Sequence, residues 1–154
     1  AEVLAKIESM KNRTKAPARS PLALGKWRLR WSVQADNANP LQKALANQVK
    51  NYQILYTDEE GDSRVENLVE LAPFLKVRAN AACEPGSPER TLINIKSVVV
   101  ELGPFTKEFP VNREREEGDR GFLDWLYLDE NIRITRGSKG SLFIHTREAE
   151  SDDE

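Results

Sequence analysis

The chain is poor in the residues that build reactive centres. Its 154 residues include one cysteine, Cys83, and one histidine, His145. A lone cysteine excludes an internal disulfide. One Cys and one His also fall short of the roughly four ligands of a structural zinc site. No apolar run approaches the ~20 residues of a membrane-spanning helix. The longest, such as Ser97-Val-Val-Val100, are strand-sized, so any meeting with a membrane is expected at its surface. Gly-x-Ser-x-Gly, P-loop and dinucleotide-binding patterns are all missing. His145 reads as a strand-end residue facing solvent or a partner. Cys83, in Ala-Ala-Cys-Glu-Pro-Gly, reads as an ordinary loop thiol. The chain is expected not to be an enzyme, and nothing calls for a cofactor or a metal.

Excess charge is also missing. The formal net charge is −2, which argues against a dedicated nucleic-acid binder. Its distribution is uneven. The first thirty residues are basic, and Lys6, Lys11, Arg13 and Lys15 are candidate contacts to anionic lipid or an acidic protein face. The bland alternative is a solvated, basic lead-in helix. Residues 148–154 are mostly acidic and read as a solvating tail or a docking handle. The chain starts at Ala1, as a processed precursor or a trimmed chain would.

What is present is strand pattern. Val3, Leu4, Ile7 and Met10 share one face of a short helix over residues 2–12. Pro17 and Pro21 end it. From Gly25 to Val33 the residues Trp27, Leu29, Trp31 and Val33 alternate with Lys26, Arg28, Arg30 and Ser32. Period two sends the rings to a buried face and the cations to a wet one, which also defeats a nucleic-acid stacking role. Asn39–Ala46 reads as a second short helix. Strands are expected at Val49–Thr57, Arg64–Leu71, Phe74–Asn80 and Leu92–Leu102. Cys83–Arg90 is expected as a loop. Gly103-Pro104 and Phe109-Pro110 bracket an irregular connection, and Asn112–Arg120 reads as an exposed loop. Phe122–Leu128, Asn131–Arg136 and Ser141–Thr146 close the chain, with Asp129-Glu-Asn131 as a turn. Asp124 is expected on the wet face or paired with Arg133 or Arg136. About eight short strands with sequential links fit a sandwich or a barrel, and the short links favour a barrel.

Two motifs then resemble one family. Gly25-Lys-Trp-Arg-Leu29 resembles the opening strand of the plastid-lipid-associated proteins, or fibrillins, and the start of lipocalin barrels. Gly121–His145 resembles the fibrillin ending, with Leu123, Asp124, Tyr127, Asp129, Arg133, Arg136, Gly137, Gly140 and Phe143 in register. Phe122, Trp125 and His145 depart from the family pattern.

The resemblance implies an all-β, lipocalin-like antiparallel barrel of about eight strands, with a short N-terminal helix and one short helix after the first strand. Residues 1–21 would be helix and linker, 22–147 the barrel and 148–154 the acidic tail. It implies a non-catalytic plastid protein that binds small hydrophobic molecules (lipid, quinone or carotenoid) or stabilises thylakoid or plastoglobule membranes. The alternative is a peripheral subunit of a thylakoid photosynthetic complex with a filled barrel. Trp27, Leu29, Trp31, Tyr52, Ile54 and Phe143 are expected to line the interior. Arg136 is expected to close the barrel over Trp27, and Trp125 to meet a membrane or partner.

Overall fold

The computed structural model describes residues 2–9, 14–33, 50–111 and 121–149. The helix expected over Asn39–Ala46 and the loop expected over Asn112–Arg120 lie outside them. Helix α1 spans Glu2–Ser9, with acidic Glu2 in its first turn, where the helix dipole favours it. Two single 3₁₀ turns follow, Pro17–Arg19 and Pro21–Ala23. Each opens on the proline, whose missing N–H and fixed φ suit a first position.

Nine strands form one antiparallel sheet: β1 (Gly25–Val33), β2 (Lys50–Thr57), β3 (Ser63–Ala72), β4 (Leu75–Ser87), β5 (Arg90–Leu102), β6 (Phe105–Pro110), β7 (Gly121–Leu128), β8 (Ile132–Gly137) and β9 (Leu142–Arg147). Their order is β4-β3-β2-β1-β9-β8-β7-β5-β6, and a further β4–β5 pairing closes the ring. Eight strands therefore make the barrel, and β6 hangs on the outer half of β5. Two expectations are corrected here. Cys83–Arg90 is not a loop, because β4 runs through it to a tight hairpin at Ser87–Arg90. The irregular connection expected between Gly103-Pro104 and Phe109-Pro110 is strand β6, an exposed edge that ends at Pro110.

Register assigns the faces. Trp27, Gln53, Asn67 and Ala79 are successive cross-strand partners and share the inner face. Inside, Ala23, Trp27, Leu55, Val65, Ala81, Trp125 and Leu128 form the core at one end. Outside, Ile7 of α1 covers Tyr127 and Ile134, with Trp31 and Ile144 beside them. Bulges in β1 between Leu29 and Trp31, and in β7 between Trp125 and Tyr127, switch the faces. That is how Trp27 and Trp31, on one strand at even spacing, serve opposite sides of the sheet.

Candidate functional site

The core end is closed by local sequence. Trp27 is fully buried, and its indole Nε1–H donates to the Ala23 carbonyl at 3.0 Å. Arg147 lies over the same ring, its guanidinium carbon 4.2 Å from the centroid. Its three nitrogens donate to the carbonyls of Leu22, Leu24 and Glu130 at 2.6–2.8 Å. Gly25 makes this possible. Its φ is +122°, and a Cβ there would sit 2.7 Å from the Arg147 Nη1. The Gly-Lys-Trp opening is thus one half of a plug whose other half is the end of β9.

Above the plug lies a buried polar centre. Arg133 is completely buried, and its guanidinium carbon lies 5.6 Å from the Trp27 ring and 5.1 Å from the Trp125 ring. Its Nη2 donates to the Gln53 Oε1. Among the described residues its Nε and Nη1 have no acceptor, and neither the Thr135 Oγ1 nor the His145 Nδ1 has a partner. Burial lowers the Arg133 pKa to about 9, which leaves it cationic at neutral pH. Burial, and then the Arg133 charge, push His145 well below the ordinary histidine value and keep it neutral. No ion pair to Arg133 occurs among the described residues. A buried ion without a counter-charge costs several kcal/mol.

The opposite end is apolar and exposed. Phe74 sits at the β3–β4 turn, and Leu102 and Phe105 flank the β5–β6 turn. They are 63%, 50% and 74% exposed. The Gly103 N–H donates to the Phe74 carbonyl at 2.8 Å, which ties the two turns together. Phe109, further along β6, is also exposed, and the Lys107 Nζ lies 5.3 Å from its ring centroid. Large exposed apolar side chains gathered on two linked turns are a candidate interaction surface.

The expected site residues divide between these places. Trp27, Leu29 and Phe143 face inward, and Leu29 and Phe143 are only half-buried. Trp31 does not line the interior, because the β1 bulge turns it out to the Ile7 cluster. Tyr52 and Ile54 are also corrected. Gln53 pairs with Trp27 and points in, so its neighbours point out, and the Lys26 Nζ covers the Tyr52 ring at 4.4 Å. Trp125 is not a surface contact: it is 3% exposed, and its Nε1–H donates to the Thr91 Oγ1 at 2.9 Å. Arg136 does not close the barrel over Trp27. It pairs with Leu142 while Trp27 pairs with Arg147, about 16 Å further along β9 at ~3.3 Å per residue. Asp124 binds Arg90 rather than Arg133 or Arg136, with both oxygens at 2.6 and 3.0 Å. His145 is an inward, buried residue rather than a solvent-facing strand end.

Lys6 and Lys15 are exposed, while Lys11 and Arg13 lie outside the described residues. Among the described residues, no group of three or more His, Cys, Asp or Glu is placed to hold a metal. No helix there is long and apolar enough to cross a membrane.

Arg133, Gln53 and Thr135 were missed by sequence reasoning. In Ile132-Arg-Ile-Thr-Arg136 the isoleucines look like the core face. The available signal was the pairing with its neighbour strand, since Arg133 sits opposite Leu128 and His145.

Comparison with known proteins agrees with this architecture. The PAP_fibrillin family model matches residues 1–146. The chain is 32% identical to the probable plastid-lipid-associated protein 12, chloroplastic, of Arabidopsis thaliana, over 96% of this chain and 37% of that protein. It is 30% identical to the probable plastid-lipid-associated protein 5, chloroplastic, of the same plant, over 90% of this chain and 54% of that one. The chain thus spans between about a third and a half of the length of these relatives. With the opening Gly25–Trp27 plug and the closing β7–β9 strands inside one continuous family match, the chain belongs to the PAP/fibrillin family.

Proposed function

We propose that the protein acts without catalysis as a peripheral lipid-associated protein that docks on a plastid lipid surface through its paired hairpin tips. The observation that carries this is the exposure of Phe74 and Phe105 on two turns joined by the Gly103–Phe74 hydrogen bond. An end with exposed rings suits a soft lipid surface, which admits them. Each ring removed fully from water contributes up to ~1.5–3 kcal/mol, enough together for reversible binding. Lys107, stacked on Phe109, places a cation at the head-group level. The printed names of both relatives, plastid-lipid-associated and chloroplastic, support a plastid location, on thylakoids or lipid globules.

The test is co-sedimentation with phosphatidylcholine vesicles, with and without phosphatidylglycerol. The wild type should bind, and the Phe74→Ser/Phe105→Ser protein should bind about tenfold more weakly or worse. Equal binding by the two, or none by the wild type, rejects the reading. Lys107→Gln should remove only the gain from phosphatidylglycerol, and only at low salt.

A second reading is a peripheral subunit of a thylakoid complex. The packing of Trp27, Leu55, Val65, Trp125 and Leu128 favours it, since these side chains fill one end of the barrel. On that reading native purification yields a membrane complex and no stoichiometric lipid, quinone or carotenoid.

A further inference from the structure

Arg133 lacks a structural explanation among the described residues. It is fully buried, two of its three nitrogens have no acceptor, and it has no carboxylate partner among the described residues. Two indole rings hold its guanidinium in place at 5.6 and 5.1 Å. Gln53 takes the remaining nitrogen, which fixes the orientation of the fork. Beside it on the inner face, Thr135 and His145 contribute an unpartnered hydroxyl and an unpartnered ring nitrogen. Four unsatisfied polar atoms on three neighbouring buried side chains form a set, and buried polar groups are normally paired. A guanidinium beside a hydroxyl and a neutral imidazole on the same inner face matches an oxyanion.

We propose that this centre is an internal binding site for the oxyanion end of a single-chain amphiphile, with Arg133 as its anchor and Thr135 and His145 as its polar partners. The apolar chain would lie toward the end away from the plug. There the inward residues Leu29 and Phe143 are only half-buried and can accept it. The filled core below Arg133 leaves no such room. A carboxylate and a phosphate monoester share the chemistry that the centre recognises. His145 stays neutral next to the guanidinium, so it contributes a hydrogen bond without a second positive charge. The site lies inside the barrel, apart from the hairpin tips, and stands independently of vesicle docking.

The experiment uses the full chain after co-purifying lipid has been stripped on a hydrophobic resin. Tryptophan fluorescence is titrated with palmitate, hexadecyl phosphate, hexadecanol and inorganic phosphate, since Trp27 and Trp125 flank the anchor. Palmitate, hexadecyl phosphate or both should bind about tenfold or more tightly than hexadecanol. Arg133→Met should abolish that preference while leaving the ligand-free protein at least as resistant to heat as wild type. Equal binding of acid and alcohol overturns the proposal, as does binding of inorganic phosphate alone or of no probe at all. The acid-against-alcohol comparison needs only the wild type, so it decides the matter even if the variant does not fold. Should Arg133→Met fold but melt far below wild type and keep the acid preference, Arg133 is a core cation and the proposal fails. The probes are kept below their aggregation concentrations and so offer the tips no lipid surface, and hairpin docking and interior binding fail or succeed separately.

Discussion

The Arg147 guanidinium spans Trp27, lying 4.2 Å from the ring centroid while it caps three main-chain carbonyls on the turns and loop around it. Arg147→Ala removes a cation–π contact of ~0.5–2 kcal/mol and several charge-assisted hydrogen bonds that are partly open to water. We expect a loss of about 2 kcal/mol, read as a lower urea midpoint with an unchanged slope. Arg147→Lys should recover less than half of it, because an ammonium cannot form the same planar fork.

Gly25 and Arg147 should be coupled. A Cβ at residue 25 would lie 2.7 Å from the Arg147 Nη1, and the backbone there has φ +122°. Gly25→Ala therefore incurs backbone strain of about 1–3 kcal/mol and displaces the guanidinium as well. In Arg147→Ala the displacement has nothing left to disturb. The double variant should be more stable than the sum of the two losses predicts, by about 1 kcal/mol in a double-mutant cycle. Additivity within error would show that Gly25 matters only through its own dihedral.

The barrel was legible in the sequence because alternation, turn residues and the closing motif agreed with one another. Trp27 was legible as a core residue. Trp31 was not, because a bulge of one residue inverts the faces and leaves no compositional mark. Tyr52 and Ile54 looked like core by hydropathy, yet register turned Gln53 inward instead. Strand β4 continued through Pro85 and Gly86, both exposed, where loop chemistry argued for a break. Arg133 drew no expectation of burial, because the isoleucines on either side of it look like the core face. In the fold Ile134 packs outside against Ile7 of α1, so both faces of β8 are covered.

The hairpin tips should be separable from folding. Phe74 and Phe105 are 63% and 74% exposed, so serine at either position removes little buried surface. Each single variant should stay within about 0.5 kcal/mol of wild type in urea denaturation. A large loss of stability would place these rings in the fold rather than at a lipid surface. It would also remove the main support for docking.

Cys83 should be a slow thiol. It points inward from β4 beside the core, and burial pushes its pKa up to about 11. The thiolate fraction at pH 8 is then about one in a thousand, roughly two hundred times below that of a free cysteine. Ellman's reagent should react with the native protein at least a hundredfold more slowly than with the protein in urea, about as much as the thiolate deficit allows. Fast native labelling would mean that the β4–β5 hairpin opens readily.

His145 should make the fold sensitive to mild acid. It is the only histidine in the chain, and burial together with the Arg133 charge holds its folded pKa well below 6.5. The unfolded chain takes up a proton near pH 6.5, and the folded chain does not. The associated stability is therefore fully present above that pH and falls as the pH drops through it. The loss approaches ~1.4 kcal/mol per pH unit once the unfolded histidine is fully protonated. It stops only below the depressed folded value. Unfolding free energies measured between pH 8 and 5 should trace this slope, and His145→Gln should flatten it over the range above the carboxylate titrations. A wild-type curve that is flat between pH 7 and 5.5 would show His145 exchanging protons with water in the native state. That would mean that the polar centre is reached by solvent rather than sealed between the two tryptophans.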